Sequence, residues 1–258
     1  MLTMNHSATM YLAAFREFCK IAKGDKNHAI EMTNEYFDKN VVVLLLPDAI
    51  RMYGPRQQFH CTEHPITHEI SSVRFLTTPD KLKKIKSLYK ASLQPDIPKC
   101  VSDEMSHPET FIAENPEWAE SAYVTHLIQD YSWDKWLRER VDVTERLLDR
   151  FVYKTTGEVV DGATFRKELG PIDNVFFQKI AKTIYEESGV LLNQEWFEEH
   201  VYKNMLKAYD EELAENTWKY IKLPNLEEEI KLPAFIFEHE LNCAVEKMVK
   251  ATTYALFI

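Results

Sequence analysis

Apolar side chains in this chain recur every three to four residues, and that period constrains the fold more than any single motif. In residues 8–23, Tyr11, Ala14, Phe15, Phe18 and Ile21 fall at helical spacing, which places them on one face of an amphipathic helix. The same reading predicts a second helix over 26–38 and three more over 171–188, 193–219 and 234–255. Only six glycines occur in 258 residues. A turn-dense β fold, or a backbone cradle for nucleotide phosphates, uses more. Neither G-x-G-x-x-G nor G-x-x-x-x-G-K-[ST] is present. The expectation is an all-α protein. No composition break or internal repeat divides it, so residues 1–258 read as a single domain, with a chemistry-bearing half over 1–150 and a helical C-terminal half over 151–258.

Between the clear helices the signals are mixed. "VVVLLL", residues 41–46, is β-branched at its start, but its brevity and helical surroundings favour a buried helical segment. Residues 54–72 read as irregular around Pro55 and Pro65, 79–93 as a basic surface helix, and 94–115 as a connector. Asn115, Pro116 and Glu117 suit the N-cap, first position and first turn of another helix, continuing helically through 142–151. Gly157, Gly162 and Gly170 mark 152–170 as a hairpin or a loop over a site. "LPNLEEEIKLP" links the last two helices.

Charge and cysteine usage narrow the partners. Thirty-one basic against 41 acidic side chains leave a net charge of −10, which argues against non-specific binding of nucleic acid. A small phosphorylated substrate stays compatible, because a metal ion reverses the local field. The four cysteines, Cys19, Cys61, Cys100 and Cys243, form no C-x-x-C pair, as expected of reduced thiols in a cytoplasmic protein. The N-terminal "MLTMNHSATMYLAAFREFCK" lacks the uninterrupted apolar stretch of a signal peptide. No segment approaches the ~18 apolar residues of a membrane span.

The chemistry concentrates in "AYVTHLIQDYSWDKWL", residues 122–137. Its stripe runs through Ala119, Ala122, Tyr123, His126, Asp130, Trp133 and Leu137, so an imidazole and a carboxylate occupy the apolar face, one helical turn apart. A carboxylate buried among aromatics costs several kcal/mol unless it is paired or ligates a metal. Two readings follow: a His–Asp hydrogen bond along the helix, or half of a metal site. Asp48, after "LLLP", projects from the end of a buried element or caps a helix. His60 and His64 follow it, and Pro65 disfavours helix at His64, so one of the two, His60 first, is the better candidate. His6 lies just ahead of the first helix. Arg51 and Arg56 could grip a phosphate as bidentate donors, and Asp134, one turn after Asp130, could act as a base. His239 and Glu240 could approach from the last helix. Trp196, Phe197, Val201, Met205, Leu206 and Tyr209 suit core or homo-oligomer contacts.

Taken in order, "MNH", "LLLPDA", a following histidine and "AYVTHLIQDYSW" resemble the zinc-dependent phospholipase C family, over roughly the first 140 residues. The resemblance implies a multi-helix, metal-dependent phosphoesterase fold. It implies Asp48, one of His60 and His64, His126 and Asp130 as ligands of one divalent ion, zinc or manganese. His6 would then serve a second ion, with Asp130 bridging. The family's later histidines for a third zinc have no counterpart: Tyr131 to Glu139 holds no histidine, and His200 and His239 are followed four residues on by Asn204 and Cys243. The expected function is hydrolysis of a phosphate mono- or diester by metal-activated water. A non-catalytic helical scaffold on the same fold is the main alternative. An HD-type phosphohydrolase is the other, and no adjacent His-Asp dipeptide occurs to support it.

Overall fold

The computed structural model describes residues 3–49, 122–145, 150–209 and 211–257. These residues are mostly helical, with one small sheet. In chain order the helices are α1 (Thr3–Ile21), α2 (Lys26–Leu44), α3 (Leu46–Ala49), α4 (Ala122–Arg138), α5 (Gly162–Ser188), α6 (Gln194–Phe197), α7 (Lys203–Ala208), α8 (Glu211–Trp218) and α9 (Glu238–Phe257). A π-helical turn, Glu198–Tyr202, joins α6 to α7. Strands β1 (Val141–Glu145), β2 (Arg150–Tyr153) and β3 (Val159–Asp161) lie between α4 and α5.

Local chemistry sets many of these boundaries. Lys23 and Gly24 take positive φ between α1 and α2, and the Asp25 side chain accepts from His28 N at 3.1 Å to cap α2. Ala29, Thr33, Phe37, Val41 and Leu44 form the buried face of α2. The "VVVLLL" run is therefore helical, as expected, because apolar partners are available on the helix period. Leu45 N donates to Val41 O and Ala49 N to Leu45 O, at 3.0 Å each, so the chain runs almost without a break into α3.

The last expected helical stretch of the N-terminal half is overturned. Val141–Glu145 and Arg150 onwards pair as antiparallel strands, with Val141 opposite Tyr153 and Asp142 opposite Val152. Val141, Val143, Phe151 and Val152 favour a pleated ribbon over a helix. The hairpin expected within 152–170 is present between β2 and β3, turning at Gly157 with φ 72°. Gly162 and Gly170 do not continue a loop. Asp161 caps α5 by accepting from Thr164 N at 2.7 Å, and the helix runs through Pro171. It stops at Gly189, φ 79°, whose N–H bonds Tyr185 O at 2.8 Å. The link after α8 is irregular and is pinned to α5 by Gln178, whose amide donates to Asn225 O and Glu228 O at 2.7 and 2.9 Å.

α1 is the centre of the assembly. It packs against α2, α5 and α9, and α4 packs against α9 and α2. Every residue from Met4 to Phe15 is buried, as befits a helix surrounded on all sides. The exception to the usual composition is polar: Asn5, His6, Ser7 and Thr9 are wholly inside. Apolar residues from Met4 to Leu256 form one contiguous core. Among the described residues, no helix is long and apolar enough to cross a membrane.

Candidate metal centre

Buried polar groups require partners, and the polar turn of α1 finds its own in α4, α5 and α9. Asn5 donates through Nδ2 to Asp173 O at 3.1 Å, tying the start of α1 to α5. One residue on, the His6 ring stacks on His126 of α4, with centroids 3.8 Å apart and planes 17° apart. α3 brings Asp48 to the same place. One ligand-capable atom from each of His6, Asp48 and His126 lies within 4.8 Å of the others. Asp130 straddles the two imidazoles: Oδ1 is 3.4 Å from His6 Nε2 and Oδ2 is 3.5 Å from His126 Nε2. Three separate helices thus bring His6, Asp48 and His126 together, and Asp130 faces the two imidazoles.

The setting is dry. His6 and His126 are wholly buried, Asp48 is 3% exposed, and Asp130 is the most accessible at 15%. Burial, with His6 alongside, pushes the His126 imidazole down to about 4, against the pull of Asp130 and Asp48. It is neutral near pH 7, the state in which imidazole ligates metal. Burial alone would raise the Asp130 carboxyl. Nearby positive charge and the facing imidazoles of His126 and His6 outweigh it and hold Asp130 well below the usual carboxylate range. Tyr209, buried between α7 and α8, has its hydroxyl pushed upward by burial and by the charge of Asp48. It stays a phenol and donates to Val42 O, near the end of α2.

The donor set fits a divalent cation. His6 Nδ1 lies 2.7 Å from Gln129 Oε1, so Nδ1 carries the proton and Nε2 presents a lone pair. That Nε2 is buried with no hydrogen-bond partner, and it faces a carboxylate oxygen. Two acceptors face to face call for a proton or a cation between them. Asp48 and Asp130 place carboxyl groups in a largely buried cluster, where a bound cation offsets the cost of buried negative charge. Nitrogen and carboxylate donors in this mix suit zinc and manganese.

Of the residues singled out from sequence, His6, Asp48, His126 and Asp130 come together. His6 and His126 lie side by side, each facing one oxygen of Asp130. Asp48 sits inside α3, in its first turn. His60, His64, Arg51 and Arg56 lie outside the described residues, as does the Asp134 side chain. His239 is exposed, and Glu240 is held by Arg140 Nη2 at 3.0 Å, so neither joins the cluster. Gln129 was not anticipated. Its signal was present in the sequence: a third polar residue on the face that carries His126 and Asp130. No family model matches the chain, and no curated protein or solved structure is significantly similar to it.

Proposed function

We propose that the chain is a metal-dependent hydrolase, a phosphoesterase acting on a phosphate mono- or diester, built on a fold like that of zinc-dependent phospholipase C. One observation carries this reading: α1, α3 and α4 bring ligand atoms of His6, Asp48 and His126 within 4.8 Å of one another, with Asp130 facing both imidazoles. These four residues, with His60 or His64, would hold one or two divalent ions, zinc or manganese. A divalent ion there polarises a phosphoryl oxygen and lowers the pKa of water towards neutrality.

The chain's own residues supply the rest. Asp130 spans both imidazoles and, as the most accessible of the four, marks the side from which a substrate arrives. The neutral His126 gives a lone pair without a proton having to leave first. Arg51 and Arg56 are the candidate phosphate grips, and Asp134 the candidate base.

The test is elemental analysis of protein purified without added metal, followed by turnover of bis(p-nitrophenyl) phosphate with zinc or manganese. Stoichiometric metal with turnover supports the phosphoesterase. Metal-loaded protein inert on several phosphate esters counts against it. A second reading has its own support, the complete burial of His6 and His126. Closed sites of that kind hold structural ions, and a helical scaffold would keep the metal and catalyse nothing. Sub-stoichiometric metal that soaking does not raise removes the metal from both readings.

A further inference from the structure

We propose that Gln129, anchored by Thr252, is a positioning residue for His6: it accepts the Nδ1 proton and so leaves Nε2 bare for the cation, without adding charge to the site. The inference rests on the metal-site reading above and concerns residues that do not themselves ligate.

The chain of contacts is short and fully buried. His6 Nδ1 is 2.7 Å from Gln129 Oε1, and Gln129 Nε2 donates to Thr252 Oγ1 at 3.0 Å. His6, Gln129 and Thr252 are all without solvent exposure. The Thr252 contact fixes which end of the amide meets the ring, since the amide nitrogen is committed to the hydroxyl and the oxygen is left for Nδ1. A metal-ligating histidine commonly gives its other N–H to such an acceptor, often a carboxylate, which sets tautomer and ring orientation. Here a carboxylate would be a third acid beside Asp48 and Asp130 in a site without water. A glutamine provides the same acceptor geometry with no charge. The relay also crosses the fold. Gln129 stands beside Asp130 on α4, and Thr252 lies near the end of α9, so the last helix orients a ligand on the first.

The experiment measures zinc affinity by competition with a chromophoric chelator, on the full chain, alongside melting in excess chelator. Gln129→Leu is expected to weaken zinc binding about 10–100-fold, while Gln129→Glu, which restores the acceptor, retains most of it. Thr252→Val should fall between Gln129→Leu and the wild type, because the amide keeps its contact but loses its anchor. In zinc-loaded wild type, proton NMR should show a slowly exchanging downfield imidazole N–H that Gln129→Leu abolishes. A merely structural glutamine would lower the chelator melting temperature and leave zinc affinity and that resonance unchanged, which overturns the relay. Unchanged zinc binding in Gln129→Leu also overturns it while leaving the metal site standing. Absence of zinc binding by the wild type overturns both, and His6→Ala that binds zinc as the wild type does removes His6 from the site and the relay with it.

Discussion

Two histidine–aspartate contacts in this molecule invite comparison. On the outer side of α2, His200 Nδ1 lies 2.9 Å from Asp38 Oδ1, and Asn204 Nδ2 donates to the same oxygen at 3.0 Å. In the core, His6 and His126 stand 3.4 and 3.5 Å from the two oxygens of Asp130. By distance alone the first pair is the stronger. Its side chains are 18% and 39% exposed, however, so water completes both partners and screens the charge. Exposed pairs of this kind contribute about 0–1 kcal/mol. The core contacts are longer, and they join two buried imidazoles to the two oxygens of one carboxylate. Burial, more than short distance, distinguishes the candidate site from an ordinary contact near the surface.

The comparison is broken most severely at Asp130. Asp130→Asn is expected to abolish turnover of bis(p-nitrophenyl) phosphate in zinc- or manganese-loaded protein, because an amide is a poor ligand and cannot serve two cations. The measurement is initial rate against the wild type at equal metal content. Full activity in the variant would remove the mechanism.

Metal removal comes next. A ligand that binds only the folded state stabilises it by about 4 kcal/mol at a thousandfold excess over its Kd. In a chain of this size that corresponds to roughly 10 °C in melting temperature. Excess chelator should produce a downshift of that order in the wild type. In His126→Ala the chelator should change the melting point far less. Equal chelator shifts in both proteins would make His126 a packing residue only.

Acid comes third. His126, held near pH 4 when folded against about 6.5 when unfolded, binds its proton more readily in the unfolded chain. Its neutral form therefore stabilises the fold fully above pH 6.5, and that contribution is lost as pH falls from 6.5 through 4. The loss amounts to about 3 kcal/mol. His6, Asp48 and Asp130 face it: His6 adds to the downward shift and the two carboxylates oppose it. Denaturant melts of chelator-treated protein should show the slope over that window, and His126→Gln should flatten it.

The helices and the cluster were legible in the sequence for different reasons. α1 and α2 follow from apolar spacing, because the core they enter rewards that period, and the "VVVLLL" run from its brevity and helical surroundings. His126 and Asp130 were legible because ionisable groups on an apolar face carry a cost that needs an explanation. The β1 strand was not. Val141, Val143 and Thr144 have strand propensity, but it is realised only by pairing with β2 and β3, a contact the local sequence does not contain. Gly162, read as loop, opens α5 because Asp161 caps it. Gln129 is similar: the local pattern marks a polar residue on the helix face of His126 and Asp130, but its role depends on His6 and Thr252, each 123 residues away along the chain.

The smallest expected effect belongs to the outer pair. His200 sits in the π-helical turn, Glu198–Tyr202, and such turns often accompany functional sites, so its neutrality needs a separate argument. Its Nδ1 is engaged by Asp38, its ring tilts against Trp196 with centroids 4.9 Å apart, and it joins no cluster of ligand-type residues among those described. His200→Ala removes one part-buried side-chain contact to Asp38 and part of one ring contact. Asn204 still donates to Asp38 and to the carbonyl of residue 200, so no acceptor is orphaned. Stability should fall by about 1 kcal/mol or less, or roughly 2–4 °C in the melting temperature. Zinc affinity and phosphodiester turnover should match the wild type. If His200→Ala instead lost metal or activity as Asp130→Asn does, then exposure would not separate the two pairs, and the π turn would belong to the site.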